Sequence, residues 1–557
     1  MNKKNLLILL LGLVILKTSC TKPSIKAAVV SARNEASEIG IEIIRKGGNA
    51  FDATVATHMA LAVCYPNAGN LSGGGFVVFR TASGTVGSLD FREKAPMNAF
   101  RDMYLDENKN VLSEKSVLGG LSVGVPGAVA GMYALHQKLG KLSWQQVVAP
   151  AAALAKNGFV VTSKQAQGLS NKRSEIISMN GSNTLFAQPF KAGDSIHNLP
   201  LSILLNKIAH KGPNAFYKGS NAEAMVEKIN ASGGIFSLED LEKYEPIWRD
   251  PIQFNYKDLT LYSMGPPSSG GICLAQMLGM VEQFPIDTYG FHSEKAMQLM
   301  IEAEKRSFAD RSLYLGDSDF IEVPINKLLD SIYLIKRMQS FAFEQATPST
   351  DIAPGILVAK EADETTHFSI LDLEGNAVAV TTTLNGNYGS KLYVEKGGYF
   401  LNNEMDDFSS KPGVPNMFGL VGGTANEIAP EKRMLSAMTP TLIEKDEQLT
   451  MIVGTPGGST IITSVFQTIL NVYDFKMSIQ KAVDAPRFHH QWLPDQVILE
   501  PEKFNVQIIK KLQQKGYNII EKEARIIGRV DAIHVDSDGK ISTGADARGD
   551  DRAAVLR

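Results

Sequence analysis

The stretch that most limits what this chain can fold into begins at Thr366. Phe368-Ser369-Ile370-Leu371, a turn at Glu374-Gly375-Asn376, and Ala377-Val378-Ala379-Val380-Thr381-Thr382-Thr383 read as a β-hairpin, two β-forming runs around a glycine turn. Side chains on a strand alternate between faces. Thr365, His367 and Ser369 therefore share one face, and Thr381, Thr383 and Asn385 share one face of the returning strand. A patch of hydroxyls on adjacent strands is an unusual thing to bury. Upstream, Glu344 to Glu364 contains Pro348, Ser349, Pro354 and the acidic run Glu361-Ala362-Asp363-Glu364, the composition of an exposed linker. It ends immediately before Thr365, where a cut gives that residue a free amine.

Elsewhere the 557 residues have a globular composition, 44% hydrophobic and 21% charged, enough for several domains or one large intertwined fold. The net charge of −3 becomes −6 without the first 19 residues, which hold Lys3, Lys4 and Lys17 and no acid. With no Lys/Arg cluster on that background, nucleic acid is not an expected partner. Lys3-Lys4, an apolar run from Leu6 to Leu16, then Lys17-Thr18-Ser19-Cys20 read as an export signal over 1–19. The run is shorter than the roughly 20 residues that span a bilayer. Cys20 stands where a bacterial lipoprotein is acylated, making it the lipidation candidate. Ordinary cleavage nearby would leave a free periplasmic protein. Cys64 and Cys273 are too few for a disulfide framework, and no His/Cys spacing suits a metal, so neither metal nor cofactor is expected.

Glu38 to Lys46 reads as an amphipathic helix stopped by Gly47-Gly48, and Ala50 to Val63 as a closely packed, small-residue helix. Gly69 to Gly75 leads into Phe76-Val77-Val78-Phe79-Arg80, a strand buried on both faces. From Val129 to Phe343 the pattern is mostly helical, with breaks at Gly212-Pro213, Gly233-Gly234 and Pro266-Pro267. Helices and strands in blocks predict a layered α/β or α+β fold.

Several segments, in order, resemble the γ-glutamyltranspeptidase family of amino-terminal-nucleophile hydrolases. They are Gly47-Gly48-Asn49-Ala50-Phe51-Asp52-Ala53, Gly69 to Phe76, Asp90-Phe91-Arg92-Glu93, Pro266 to Gly271, Thr365-Thr366-His367, Asn402 to Phe408, Pro456-Gly457-Gly458-Ser459 and Arg487 to Trp492. The resemblance implies a four-layer αββα sandwich. It also implies a cut between Glu364 and Thr365, giving intertwined subunits of 20–364 and 365–557. A Thr hydroxyl needs an adjacent base, and the freed α-amine, with an ordinary pKa of roughly 7.7–8.0, serves as one. Thr383 matches the supporting hydroxyl, and Gly457-Gly458 the oxyanion hole, where backbone N–H groups can approach unobstructed.

A γ-glutamyl group carries both a carboxylate and an ammonium. By resemblance Arg92 takes the first, its planar fork suiting a carboxylate, while Glu404 and Asp407, helped by Asn385, take the second. Ser436 matches one of two adjacent serines that commonly contact the carboxylate; Ala437 departs from the pattern and removes a donor. Lys411 to Gly419 resembles a lid loop with Phe418 as its aromatic. His489-His490 reads as structural, since neighbours on a strand face opposite ways. The implied substrates are glutathione and other γ-glutamyl compounds, with water, amino acids or peptides as acceptors. Two other readings stay open: a related acylase for glutaryl-type substrates, and a non-catalytic surface lipoprotein. A glutaryl group lacks the ammonium that Glu404 and Asp407 would meet.

Overall fold

The computed structural model describes residues 24–352, 365–417, 419–521 and 527–557. The expected signal, Cys20, Glu364 and Phe418 lie outside the described residues. Two antiparallel sheets form the centre. The first contains β1 (Ala27–Ser31), β2 (Gly74–Arg80), β3 (Val86–Asp90), β4 (Ile247–Arg249), β7 (Thr366–Leu371), β8 (Ala377–Thr383) and β13 (Arg552–Leu556). Its order is β13-β1-β7-β8-β2-β3-β4. The second contains β5 (Ile252–Tyr256), β6 (Leu259–Ser263), β9 (Thr441–Lys445), β10 (Gln448–Gly454), β11 (Asp531–Val535) and β12 (Ile541–Ala545), in the order β12-β11-β10-β9-β6-β5.

Strand alternation turns the two sheets into four layers. Ala28, Val30, Phe76, Val78, Ala379, Leu442, Ile452 and Ile533 meet in the core between the sheets. Their neighbours Ala27, Val29, Val77, Phe79, Val378 and Val380 face the other way, onto α1 (Asn34–Arg45), α2 (Ala50–Cys64) and α3 (Trp144–Asn157). On the far side, Leu261, Ile443, Met451 and Val453 pack against α4 (Gly270–Val281), α5 (Glu294–Tyr314) and α6 (Thr460–Tyr473). Burial on both faces explains why β1 and β2 are apolar almost throughout.

Local chemistry sets the elements. Asn49 accepts from the N–H groups of Phe51 and Asp52 while Asp52 accepts from Asn49 N at 3.0 Å, a reciprocal cap that starts α2. All fifteen residues of α2 are buried. Gly40 lets α1 approach it, since a Cβ there would lie 2.3 Å from Thr57 Oγ1. The hairpin expected at 366–383 is present, Phe368 opposite Val380 and His367 opposite Thr381. Two expectations need correction. The first helix starts at Asn34 rather than Glu38, its first turn held by Ser37 N donating to Arg33 O. The middle of the chain also contains the hairpin β5–β6, turning at Lys257 with φ +52°. Its strands are five residues each, too short to interrupt a pattern read as mostly helical.

Candidate active site

Thr365 immediately precedes β7 and is buried, 4% exposed. Its Oγ1 lies 3.5 Å from Thr383 Oγ1 at the end of β8. The Thr383 hydroxyl accepts from Asn385 N at 2.7 Å and from Thr365 Oγ1. Asn385 has φ +72°, a left-handed conformation that asparagine tolerates, and its Nδ2 donates to Asn403 O at 3.0 Å. The hairpin register thus brings the two threonines together, as the alternation implied.

The rest of the polar face is structural. His367 Nδ1 sits 2.9 Å from Thr381 Oγ1, its Nε2 3.1 Å from Ser369 Oγ, and Ser369 donates across the layer to Asp531 O at 3.1 Å. The ring rests on Gly454 of the second sheet, where a Cβ would fall 2.3 Å from it. Burial lowers the His367 pKa to about 3, so the ring is neutral. With both nitrogens engaged, it joins the sheets and is not available as a base.

Gly457 and Gly458 have φ +134° and +54°, conformations open to glycine. They lie at the amino end of the fourteen-residue α6, where Thr460 N and Ile461 N turn back to their carbonyls at 2.9 and 3.3 Å. Unpaired N–H groups and the positive end of the helix dipole there favour an anionic oxygen. Gly458 lines the same cleft as Thr365, Thr383, Asn385, Arg92, Glu404 and Asp407. No histidine or lysine among the described residues lines it.

The charged pole is more tightly knit than its sequence suggested. Arg92 is fully buried; Nη1 pairs with Glu404, Nη2 with Asp407 at 2.5 Å, and Nε donates to Met434 O at 3.3 Å. Glu93, also fully buried, stands 3.5 Å from Nη1. Burial raises Glu404 and Asp407 above the ordinary carboxylate range despite the opposing pull of Arg92, and their charges hold the guanidinium protonated. Glu404 Oε2 remains buried without a hydrogen-bond donor. An acceptor left open in this way can take a cationic or N–H donor from a ligand, or the proton of the neighbouring Glu93 carboxyl.

Ser436 and Ala437 form part of the cleft wall. Their backbone is pinned by Ser269, whose N and Oγ both donate to Ser436 O, at 2.8 and 2.6 Å. The loop 411–419 is tied over the acidic turn: Met417 N donates to Asp406 at 2.8 Å, and Gln491 Nε2 to Gly419 O at 2.9 Å. His489 and His490 bond Thr463 and Asp495, respectively, at 2.9 and 3.1 Å, consistent with structural roles. Among the described residues, no group of three or more His, Cys, Asp or Glu is arranged to hold a metal.

The sequence profile described as gamma-glutamyltranspeptidase matches residues 36–556. The chain belongs to the gamma-glutamyltranspeptidase family. It is 44% identical over 524 residues to the glutathione hydrolase proenzyme of Escherichia coli (strain K12), covering 93% of this chain and 90% of the relative. Among solved structures it is similar to a cephalosporin acylase from Bacillus halodurans, with a TM-score of 0.86, 25% identity and 96% of each chain covered. It also resembles the Helicobacter pylori gamma-glutamyltranspeptidase, with a TM-score of 0.58 and 39% identity over 60% of this chain and 96% of that one. The four-layer architecture is thus that of the gamma-glutamyltranspeptidase and acylase structures. Two charged residues at this family member's site carried no assignment from sequence. Glu93 stands inside the Asp90-Phe91-Arg92-Glu93 run, adjacent to Arg92. Arg311, on α5, also lines the cleft, and nothing in its local sequence distinguishes it from a helix-surface arginine.

Proposed function

We propose that the chain cuts itself between Glu364 and Thr365. The new amino-terminal Thr365 then breaks γ-glutamyl amide bonds such as that of glutathione. The observation that carries this reading is the makeup of one cleft. It holds a threonine pair at 3.5 Å, a Gly-Gly helix terminus, and a buried arginine–carboxylate cluster with an open acceptor on Glu404, but no histidine or lysine among the described residues. The cleft's carboxylates are engaged by Arg92, so the base beside the hydroxyl is a freed α-amine on Thr365. In the uncut chain that nitrogen is an amide and cannot accept a proton.

In the proposed cycle, Thr365 Oγ1 attacks the γ-carbonyl carbon as its proton passes to the amine. The carbonyl oxygen becomes anionic against the backbone at Gly457–Gly458. Collapse expels the leaving amine, which takes the proton, and leaves a γ-glutamyl ester. Water, an amino acid or a peptide then attacks that ester and regenerates Thr365. Thr383 orients the nucleophile. The substrate ammonium goes to Glu404 and Asp407 near Asn385, and its carboxylate to the arginine side of the cleft beside Ser436.

The likeness to a cephalosporin acylase makes glutaryl-type amides the second reading, but such a group brings no donor for Glu404 Oε2. We further propose export directed by residues 1–19, with Cys20 as a lipid anchor, and subunits of 20–364 and 365–557 that stay associated. Intact mass of the chain expressed without its signal, beside Thr365→Ala, with glutamate release from glutathione, tests the proposal. Two fragments and activity in the parent, and one inactive chain in the variant, are expected. An uncut, inactive parent overturns it, and cutting with turnover of glutaryl amides alone transfers the chain to the acylase reading.

A further inference from the structure

Away from the catalytic cleft, the fold gathers four lysines that the sequence scatters. Lys207 and Lys211 belong to the helix Leu199–Lys211, Lys218 stands directly before the helix Gly219–Ala231, and Lys396 lies in the turn between the short strands Tyr393–Val394 and Tyr399–Phe400. All four are exposed, and together they line one surface cavity of about 300 Å³. No aspartate or glutamate among the described residues lines it, and none of the four ammonium groups forms an ion pair with a described residue. The acids nearest in sequence stay outside the cavity: Glu395 accepts from Thr184 Oγ1, and Glu223 and Glu227 stand on later turns of the second helix. In a chain of net charge −3, such a cluster is not background basicity. Like charges gathered without a counter-charge repel one another until an anion joins them.

The second helix adds to the same field. It starts without a side-chain cap, Gly219 takes φ +62°, and Gly219 and Ser220 line the cavity at its amino end. The helix dipole there carries the same sign as the lysines.

The lysines also continue an apolar row. In the helix Leu199–Lys211, Leu201, Leu204, Leu205 and Ile208 are buried. Ser202 Oγ donates to Ala152 O of α3 at 2.8 Å, and Trp144 Nε1 to Ile208 O at 2.9 Å, which fixes the face that points inward. Residues four apart share a helix face, so Leu199, Ile203, Lys207 and Lys211 form one ridge on the outward side. Leu199 is 56% exposed and Ile203 50%. A ridge that is apolar in its first half and basic in its second has the makeup of a helix face resting in a lipid interface. A dissolved anion or a nucleic acid could use the lysines but has no use for Leu199 and Ile203. A bilayer offers phosphates and an acyl boundary together.

We propose that this face docks on an anionic lipid surface, the four lysines against headgroup phosphates and Leu199 and Ile203 in the shallow apolar boundary beneath them. The anchor proposed at Cys20 would bring the chain to a bilayer, but the docking contact does not depend on it.

The test uses the chain without residues 1–19 and with Cys20→Ser, so that no acyl group contributes. It is co-sedimented with vesicles of phosphatidylcholine alone and of phosphatidylcholine and phosphatidylglycerol in equal parts. A lysine near an anionic surface is worth a factor of about five, so the parent should partition at least about tenfold more strongly onto the anionic vesicles and lose most of that preference in high salt. Lys207→Gln, Lys211→Gln, Lys218→Gln and Lys396→Gln together should lower the partitioning at least about tenfold. Leu199→Ser with Ile203→Ser should lower it about fivefold and leave its dependence on salt unchanged. Both variants should keep the parent's thermal midpoint, because exposed substitutions of this kind change stability little. Should the fourfold variant fail to fold, Lys207→Gln with Lys211→Gln carries the same comparison, with a loss of about fivefold or more expected. Equal binding to the two kinds of vesicle, or lysine variants that bind like the parent, overturns the proposal. It is also overturned if inorganic phosphate at constant ionic strength displaces the chain while Leu199→Ser with Ile203→Ser binds like the parent, since the cavity would then be a site for the free anion.

Discussion

Replacing Glu93 by glutamine should flatten part of the dependence of stability on pH. The carboxyl group is fully buried, no side-chain N–H or O–H donor among the described residues other than the neighbouring acid Glu404 reaches it, and its one close counter-charge, Arg92, is 3.5 Å away and shared with Glu404 and Asp407. Burial outweighs that attraction and raises its pKa from the ordinary 4.5 to about 7. The folded chain therefore holds this proton more tightly than the unfolded chain. Between about pH 4.5 and 7 the native state binds more protons than the unfolded state, so stability is fully present below that window and is lost as pH rises through it. One such group contributes a slope approaching 1.4 kcal/mol per pH unit, about 3 kcal/mol across the window. Asp406, raised to about 6 by burial, and Glu404 and Asp407 add to the parent's slope, so the variant should lose one group's share. Urea midpoints at pH 5, 6, 7 and 8, measured on the uncut Thr365→Ala chain with and without Glu93→Gln, read this directly. Parallel curves for the two chains would refute the argument that an ill-solvated Glu93 carries a proton in the folded state.

Other expectations concern the chemistry. Thr383→Val removes the hydroxyl next to Thr365 and the acceptor of Asn385 N. It should lower kcat about 100-fold with little change in KM and cost about 1–3 kcal/mol of stability, measured by steady-state kinetics and urea unfolding. Gly457→Ala sets a Cβ 2.4 Å from Thr460 Oγ1 at φ +134° and should abolish activity, whereas Gly458→Ala, at φ +54°, should cost about 1–2 kcal/mol and retain measurable turnover. Glu404→Gln weakens the ammonium site, so the ratio of γ-glutamyl to glutaryl turnover should fall at least tenfold in a paired kinetic assay. Dialysis against EDTA should leave the rate unchanged, because each proposed step uses only side chains and backbone.

The hairpin, its polar face and the glycine runs were legible because each is a local pattern: alternation places Thr365 beside Thr383, and Gly457-Gly458 needs conformations that only glycine adopts easily. The clustering of Arg92 with Glu404 and Asp407 came from family resemblance, since more than 300 residues separate them and no periodicity joins them. Arg311 escaped notice for a physical reason. Its helix, α5, carries Glu302, Glu304, Lys305, Arg306, Asp310 and Arg311, a composition that reads as a solvated face, yet all six are buried. Many of these charges find partners in distant elements, such as Arg306 donating to Arg337 O at 2.6 Å and Tyr517 donating to Glu302 at 2.9 Å. Such long-range compensation leaves no local trace. The β5–β6 hairpin did leave a local trace, the alternation Ile252-Gln253-Phe254-Asn255-Tyr256, but over only five residues in a mostly helical region.

The strand order of the two sheets bears on what happens once the chain is in two pieces. In the first sheet β1 lies between β13 and β7, and β8 pairs with β2, so elements from both sides of Thr365 alternate; in the second, β9 from the carboxyl-terminal side pairs with β6 from the amino-terminal side. Folding of the uncut precursor is unimolecular, whereas reassembly of separated fragments requires two chains to meet and interdigitate strand by strand. Cutting would then make the mature protein persist through a high barrier to separation, while recovery from full denaturation would become concentration-dependent and slow. The peptide bond before Thr365 would serve as a folding tether used once.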